Sequence, residues 1–264
     1  MLKRFALVAM AAAAVLTLTA SPAAAVPFGE PDGDAHPYVG LAVFYLADGT
    51  PSHRCSGALV TPELFLTAAH CTAGVASAKI WLTPDVTSAA EPLYPFGGND
   101  AAGTPIAHPG WTGVLTVPET HDVGVITLNA PVTVSRYATL APLGFLDALA
   151  TERGTQDVTF TVVGYGVQQV KPVDVSQRIR TRGTVHLQNL RSNLTGGSGL
   201  QTSNNGGHWS GGTCFGDSGG PVLYANTDMV VSVNSFVLNA NCKGTSFSYR
   251  VDTTVARDFL GPFL

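Results

Sequence analysis

The chain has 264 residues, 45% hydrophobic and only 12% charged, with 29 glycines and 17 prolines. That much apolar content excludes an unfolded chain, and a charged share about half the usual ~25% excludes a fold of long solvated helices. The formal charge of −4, with no run of Lys or Arg, offers no footprint for a nucleic-acid partner or for anionic lipid.

In chain order, Lys3 and Arg4 precede a nearly unbroken apolar stretch from Phe5 to Leu18, followed by Ser21-Pro22-Ala23-Ala24-Ala25. This pattern predicts a signal peptide over 1–25, cleaved to leave Val26 as the new N-terminus, and hence a secreted, extracellular protein. The stretch is shorter than the ~20 apolar residues needed to span a bilayer, and no later segment is long and apolar enough to hold the chain in a membrane. Cleavage leaves 12 basic against 18 acidic side chains, a net charge of −6.

Tyr38–Leu46 reads as a strand, followed by a turn at Asp48-Gly49-Thr50-Pro51. Ala58–Val60 and Leu64–Ala68 follow around Thr61-Pro62, then Ile80–Leu82 and Val123–Leu128. Further on, the β candidates are Thr159–Gly164, Pro221–Tyr224, Val230–Phe236 and Ser248–Val251. These runs are rich in β-branched residues and bounded by Gly, Pro, Asn or Asp. Residues 141–156, with Pro142, Gly144 and Gly154, place a seam between two halves, and residues 187–212 read as long surface loops. Only Thr253–Leu260 reads as a helix, capped by Asp252 or Thr253. Asn193-Leu194-Thr195 is a glycosylation sequon.

Cys55, Cys71, Cys214 and Cys242 are four cysteines in an exported chain, which favours disulfides. Three pairings are open and the sequence does not choose among them. The sequence-local pairing would staple one loop in each half, the first contributing ~3 kcal/mol in the chain-entropy model. His53, Cys55, His70 and Cys71 also cluster, but their spacing fits no standard zinc finger, so no metal is expected. No loop has the spacing of a calcium-binding EF-hand.

Three local motifs carry chemistry. They are Leu66-Thr67-Ala68-Ala69-His70-Cys71, His121-Asp122-Val123-Gly124-Val125-Ile126, and Gly216-Asp217-Ser218-Gly219-Gly220-Pro221. A serine hydroxyl is a poor nucleophile at neutral pH and needs a base within hydrogen-bond reach; an imidazole serves, and a buried carboxylate fixes its tautomer. Asp122 precedes a buried apolar strand, where an unpartnered charge is unfavourable. His121 lacks a comparable context and reads as structural. Gly216-x-Ser218-x-Gly220 also fits the elbow of α/β-hydrolases, but that fold places its histidine after the serine, and the last histidine here is His208.

With Val163-Gly164-Tyr165-Gly166 and Ser235-Phe236, these segments resemble those of the chymotrypsin/trypsin-like serine proteases, in particular their secreted, bacterial-type members. The resemblance covers essentially the whole chain from Val26. It implies an all-β fold of two packed antiparallel six-stranded β-barrels with a C-terminal α-helix, the first over 26–145 and the second over 146–264. It implies a monomeric serine endopeptidase acting on protein or peptide substrates without a cofactor, with His70, Asp122 and Ser218 as catalytic triad. The N–H groups of Gly216 and Ser218 would form the oxyanion hole. Asp217 would pair with the amine of Val26, so that signal-peptide removal generates the active form, although Val26-Pro27-Phe28-Gly29 departs from the family's Ile-Val-Gly-Gly. Gly212, Thr213, Ser235, Phe236 and Val237 would bind substrate. The family position that holds an acid in enzymes cutting after Lys or Arg is Gly212 here, so no preference for basic residues is expected. Val237, with Ser246 or Phe247 on the far wall, would narrow the pocket toward small or medium apolar side chains. The alternative is a catalytically idle homologue acting as a binding protein; such relatives usually lack a triad residue, and this chain has all three.

Overall fold

A computed structural model describes residues 29–89, 93–149, 158–168, 175–205 and 211–264. The expected signal peptide and Val26 lie outside the described residues.

The first barrel is built from β2 (Val39–Tyr45), β3 (Pro51–Thr61), β4 (Leu64–Thr67), β5 (Ser77–Trp81), β6 (Ala101–Ala107) and β7 (Gly124–Leu128), after a two-residue strand β1 (Glu30–Pro31). It closes in the order β2-β3-β4-β7-β6-β5, with β2 pairing antiparallel to β5. Its apolar interior includes Leu41, Phe44, Leu59, Phe65, Ile80, Trp81 and Ile126. The β2–β3 hairpin turns at Gly49, whose φ of 82° suits a residue without a Cβ.

After β8 (Thr139–Leu140), the second barrel takes β9 (Thr159–Gly164), β10 (Thr181–Asn189), β11 (Gly199–Asn204), β12 (Pro221–Tyr224), β13 (Met229–Val237) and β14 (Gly244–Arg250). It closes in the order β9-β10-β11-β14-β13-β12, since β12 pairs with β9. The halves are not strictly sequential: β1 pairs with β10, and β8 runs parallel to β13. Two closed six-stranded antiparallel barrels are thus the architecture that the motif resemblance implies.

Short helices complete the chain: α1 (Ala69–Thr72), α2 (Val86–Ala89), α3 (Phe145–Leu149) and α4 (Thr254–Leu260), the last running into a 3₁₀ turn at Gly261–Phe263. Thr253 caps α4, its hydroxyl accepting from Ala256 N. The first three helices correct the expectation of a single helix; at four or five residues, none is long enough to show a helical period. No helix among the described residues is long and apolar enough to cross a membrane.

The expectation of surface loops over 187–212 is also corrected. Residues 206–210 lie outside the described residues, but β10 extends to Asn189 and β11 is a full strand with Thr202, Ser203 and Asn204 buried. These side chains are polar, yet they are satisfied: Thr202 Oγ1 and Ser246 Oγ are 2.8 Å apart, and His186 N donates to Ser203 Oγ at 2.9 Å.

At the seam between the barrels lies Arg180, with 0% exposure. Its guanidinium donates to Asp32 Oδ2, to the carbonyls of Gly33, Val39 and Leu82, and to Tyr165 Oη. Burial of so many satisfied donors ties the segment before β2, the first barrel and the second together.

Candidate active site

The site is assembled where strand ends of the two barrels meet. β4 and β7 are adjacent, with Thr67 opposite Gly124, so the residues following β4 and preceding β7 emerge at one rim. This brings His70 in α1 onto Asp122 across 52 residues of sequence. Gly124 makes the approach possible, because a Cβ there would lie 2.4 Å from Thr72 Oγ1 and 2.8 Å from Ala68 O.

Asp122 is fully buried, and its carboxylate accepts from three donor atoms. His70 N donates to Oδ1 at 2.9 Å, His70 Nδ1 to Oδ2 at 2.8 Å, and Ser235 Oγ to Oδ2 at 2.5 Å. A carboxylate on Nδ1 holds the ring in one tautomer and leaves Nε2 as the basic nitrogen. Ser235 lies on β13, so the second barrel supplies one of the three donors.

Ser218 sits in the loop before β12, bound to both barrels. Ser56 N donates to Ser218 O at 2.9 Å, Gly219 N donates to Asn234 O at 2.7 Å, and Asn234 N donates to Gly220 O at 2.9 Å. Gly219, at φ 75°, packs so closely on β4 that a Cβ would meet Thr67 Oγ1 at 2.0 Å. The loop carrying Ser218 therefore rests two to three residues from His70 on one side and one residue from Ser235 on the other. Ser218 Oγ is not hydrogen-bonded to His70 Nε2; in active sites without substrate, such contacts are often long and tighten when reactants bind.

Two amides beside Ser218 are oriented through their carbonyls. The N–H and C=O of a trans peptide point in opposite directions. Val167 N holds Phe215 O at 2.8 Å, and Gly220 N holds Asp217 O at 2.9 Å, which turns the N–H groups of Gly216 and Ser218 the other way. Neither N–H donates to an acceptor among the described residues. Gly216 takes φ 95°, and Ser56 Oγ secures its carbonyl at 2.8 Å.

Asp217 points inward with 1% exposure, accepting from Cys214 N at 3.0 Å and Gly166 N at 2.8 Å. Burial pushes its carboxyl up to about 7, against the lowering effect of those two donors and of Arg54. The expected partner, Val26, lies outside the described residues.

A cleft of roughly 260 Å³ opens beside Ser218. One wall is Thr213, Cys214 and Phe215, the other Asn234, Ser235, Phe236 and Val237, with Leu115 reaching in from the connection between β6 and β7. Among the described residues, no charged side chain lines it. Gly212 is not in the lining; it lies behind Thr213, against Asn204. Phe247 lies behind Phe236, their rings stacked 4.6 Å apart, and Ser246 faces Thr202. Cys214 is joined to Cys242, and Cys55 to Cys71, so the sequence-local pairing is the one formed and none of the four sulfurs is a free thiolate.

Sequence reasoning missed Leu115, Phe215, Asn234 and Trp111, whose ring centre is 6.3 Å from that of His70. The signal for Leu115 and Phe215 lies in large apolar residues within glycine- and threonine-rich segments, where they are 43% and 53% exposed. His121, at φ 48°, stacks on His108 at 4.8 Å. His108 accepts from Gly110 N at Nδ1, and burial, then His121, lowers its pKa.

Comparisons with known proteins give the family and the fold. The family model described as Trypsin matches residues 32–260. Brachyurin of Leptuca pugilator is 28% identical over 198 residues, spanning 72% of this chain and 78% of that protein. The solved structure of HL collagenase is similar in fold, with a TM-score of 0.69 at 20% identity, covering 90% of this chain and 98% of its own.

Proposed function

Since this chain belongs to the trypsin family and is a serine-type endopeptidase acting on proteins or peptides, we propose that it is a secreted, monomeric enzyme using Ser218, His70 and Asp122. It acts independently of membranes and nucleic acid. The observation that supports the assignment most is the three-donor carboxylate of Asp122, which leaves His70 Nε2 as the basic nitrogen.

Ser218 Oγ attacks the scissile carbonyl as His70 Nε2 takes its proton, and the N–H groups of Gly216 and Ser218 receive the developing oxyanion. Collapse of the tetrahedral species expels the amine, which leaves with the proton from His70. Water, deprotonated by the same nitrogen, then releases the acyl group and regenerates Ser218. The reaction needs no cofactor, since each proton is handled by His70.

An uncharged cleft gives a cationic side chain no partner for its charge, so the enzyme selects an apolar residue before the cut. A fluorophosphonate is expected to label wild type once per chain and Ser218→Ala not at all. Unlabelled wild type should cut a peptide mixture after uncharged apolar residues. Absence of labelling in wild type rejects the mechanism in favour of an idle binding protein, and efficient cutting after Lys or Arg rejects the selectivity.

Activation follows from Asp217. A buried carboxyl that accepts from two N–H donors among the described residues gains most from a cation, and the amine of Val26 would supply one when residues 1–25 are removed. Mass analysis of the active secreted enzyme should give Val26 as the first residue; a different start rejects this route.

A further inference from the structure

Asn204, at the end of β11, is 2% exposed and does not line the cleft. Its side-chain amide bridges both backbone groups of Thr213: Nδ2 donates to Thr213 O at 3.0 Å, and Thr213 N donates to Oδ1 at 2.8 Å. This is the pattern of a strand pair, made by one side chain on a segment that belongs to no strand. Thr213 begins the cleft wall that continues through Cys214 and Phe215 to Ser218.

The same amide fills the space beside Gly212. A Cβ at 212 would lie 1.5 Å from Asn204 Oδ1 and 2.6 Å from Cγ, while the next neighbour, Asn204 Cα, is at 3.3 Å. Gly212 is not among the glycines with positive φ, unlike Gly211, Gly216 and Gly219. Its backbone therefore does not require glycine; the Asn204 side chain does. Oδ1 can retreat only by giving up its bond from Thr213 N.

We propose that Asn204 is a positioning residue for substrate selection: it fixes the Thr213–Phe215 wall and restricts position 212 to glycine, limiting the depth of the cleft. The inference rests on the reading that this cleft seats the substrate side chain before the scissile bond. An acceptor of limited depth and no charge suits a short apolar side chain, and removing the Asn204 amide should let the wall relax toward longer ones.

The test uses the secreted enzyme, with five forms: wild type, Asn204→Ala, Asn204→Asp, Gly212→Ala and the Asn204→Ala/Gly212→Ala double variant. Peptide anilides ending in Ala, Leu or Phe report selection, and fluorophosphonate labelling of Ser218 reports the nucleophile. Asn204→Ala is expected to raise KM for the Ala substrate about ten-fold, with kcat changed by less than about three-fold, and to move preference toward Phe. Its labelling rate should stay within about three-fold of wild type. Gly212→Ala alone should raise KM similarly, since the added methyl displaces the amide. In the Asn204→Ala background the same methyl should cost little, so the two effects are non-additive. Asn204→Asp keeps the volume but places an acceptor against Thr213 O, and should reproduce the KM increase. Unchanged KM and substrate order in folded Asn204→Ala and Asn204→Asp, or strictly additive effects of the 204 and 212 changes, would overturn the proposal. Loss of labelling in parallel with peptide turnover would do so too, by marking a general collapse. Failure of wild type to label is a separate outcome, which rejects the catalytic reading on which the inference stands.

Discussion

Alanine at Ser218 or at His70 is expected to lower kcat for a peptide substrate by about 10⁵–10⁶-fold, and the double variant is expected to be no slower than either single one. The hydroxyl without the base is almost never deprotonated at neutral pH, and the base without the hydroxyl has no nucleophile to activate, so either loss removes the whole covalent route. KM should stay within a few-fold, because the cleft walls are carried by β13 and the disulfide-tied loop at Cys214 and not by these two side chains. The amides of Gly216 and Ser218, proposed as the oxyanion hole, survive in both variants, since they are oriented through the carbonyls of Phe215 and Asp217. A residual rate about 10³–10⁴ above uncatalysed hydrolysis should therefore remain. Steady-state hydrolysis followed by chromatography decides the matter: losses that multiply in the double variant would show that the two groups do not act as a unit.

Asp122→Asn should cost about 10⁴-fold in kcat while leaving the fold intact. All three partners of the carboxylate are donors: His70 N, His70 Nδ1 and Ser235 Oγ. A carboxamide offers one acceptor oxygen and one donor nitrogen. It can receive the backbone N–H and must then present its NH₂ to the imidazole, which is forced to place its own proton on Nε2. The nitrogen that should take the proton of Ser218 is thereby occupied. Because the asparagine is nearly isosteric, the melting temperature should move little compared with the rate, and fluorophosphonate labelling should slow in step with peptide hydrolysis. A rate loss below about ten-fold would remove Asp122 from the mechanism.

The three motif residues were legible because each stands in a dense local pattern: small residues before His70, an apolar strand after Asp122, glycines around Ser218. The first barrel was largely legible for a related reason, since β2, β4 and β7 bury continuous apolar runs. Its β6 was not, because Ala101–Ala107 combines alanine, glycine and Pro105, all weak strand formers. β11 was hidden by chemistry of the opposite kind. Thr202 and Asn204 face inward and are satisfied by a hydroxyl and by the Thr213 backbone, so burial there leaves no hydrophobic period to read. Asn204 gave no local signal of its role, which exists only once the end of β11 is folded against the segment that leads to Ser218.

Arg180 has a consequence for how such an enzyme can change. Separating the barrels would break the bonds of the fully buried Arg180 guanidinium to Val39 O and Leu82 O. Parting the two barrels to widen the cleft is therefore opposed from beneath by this buried cation and its acceptors.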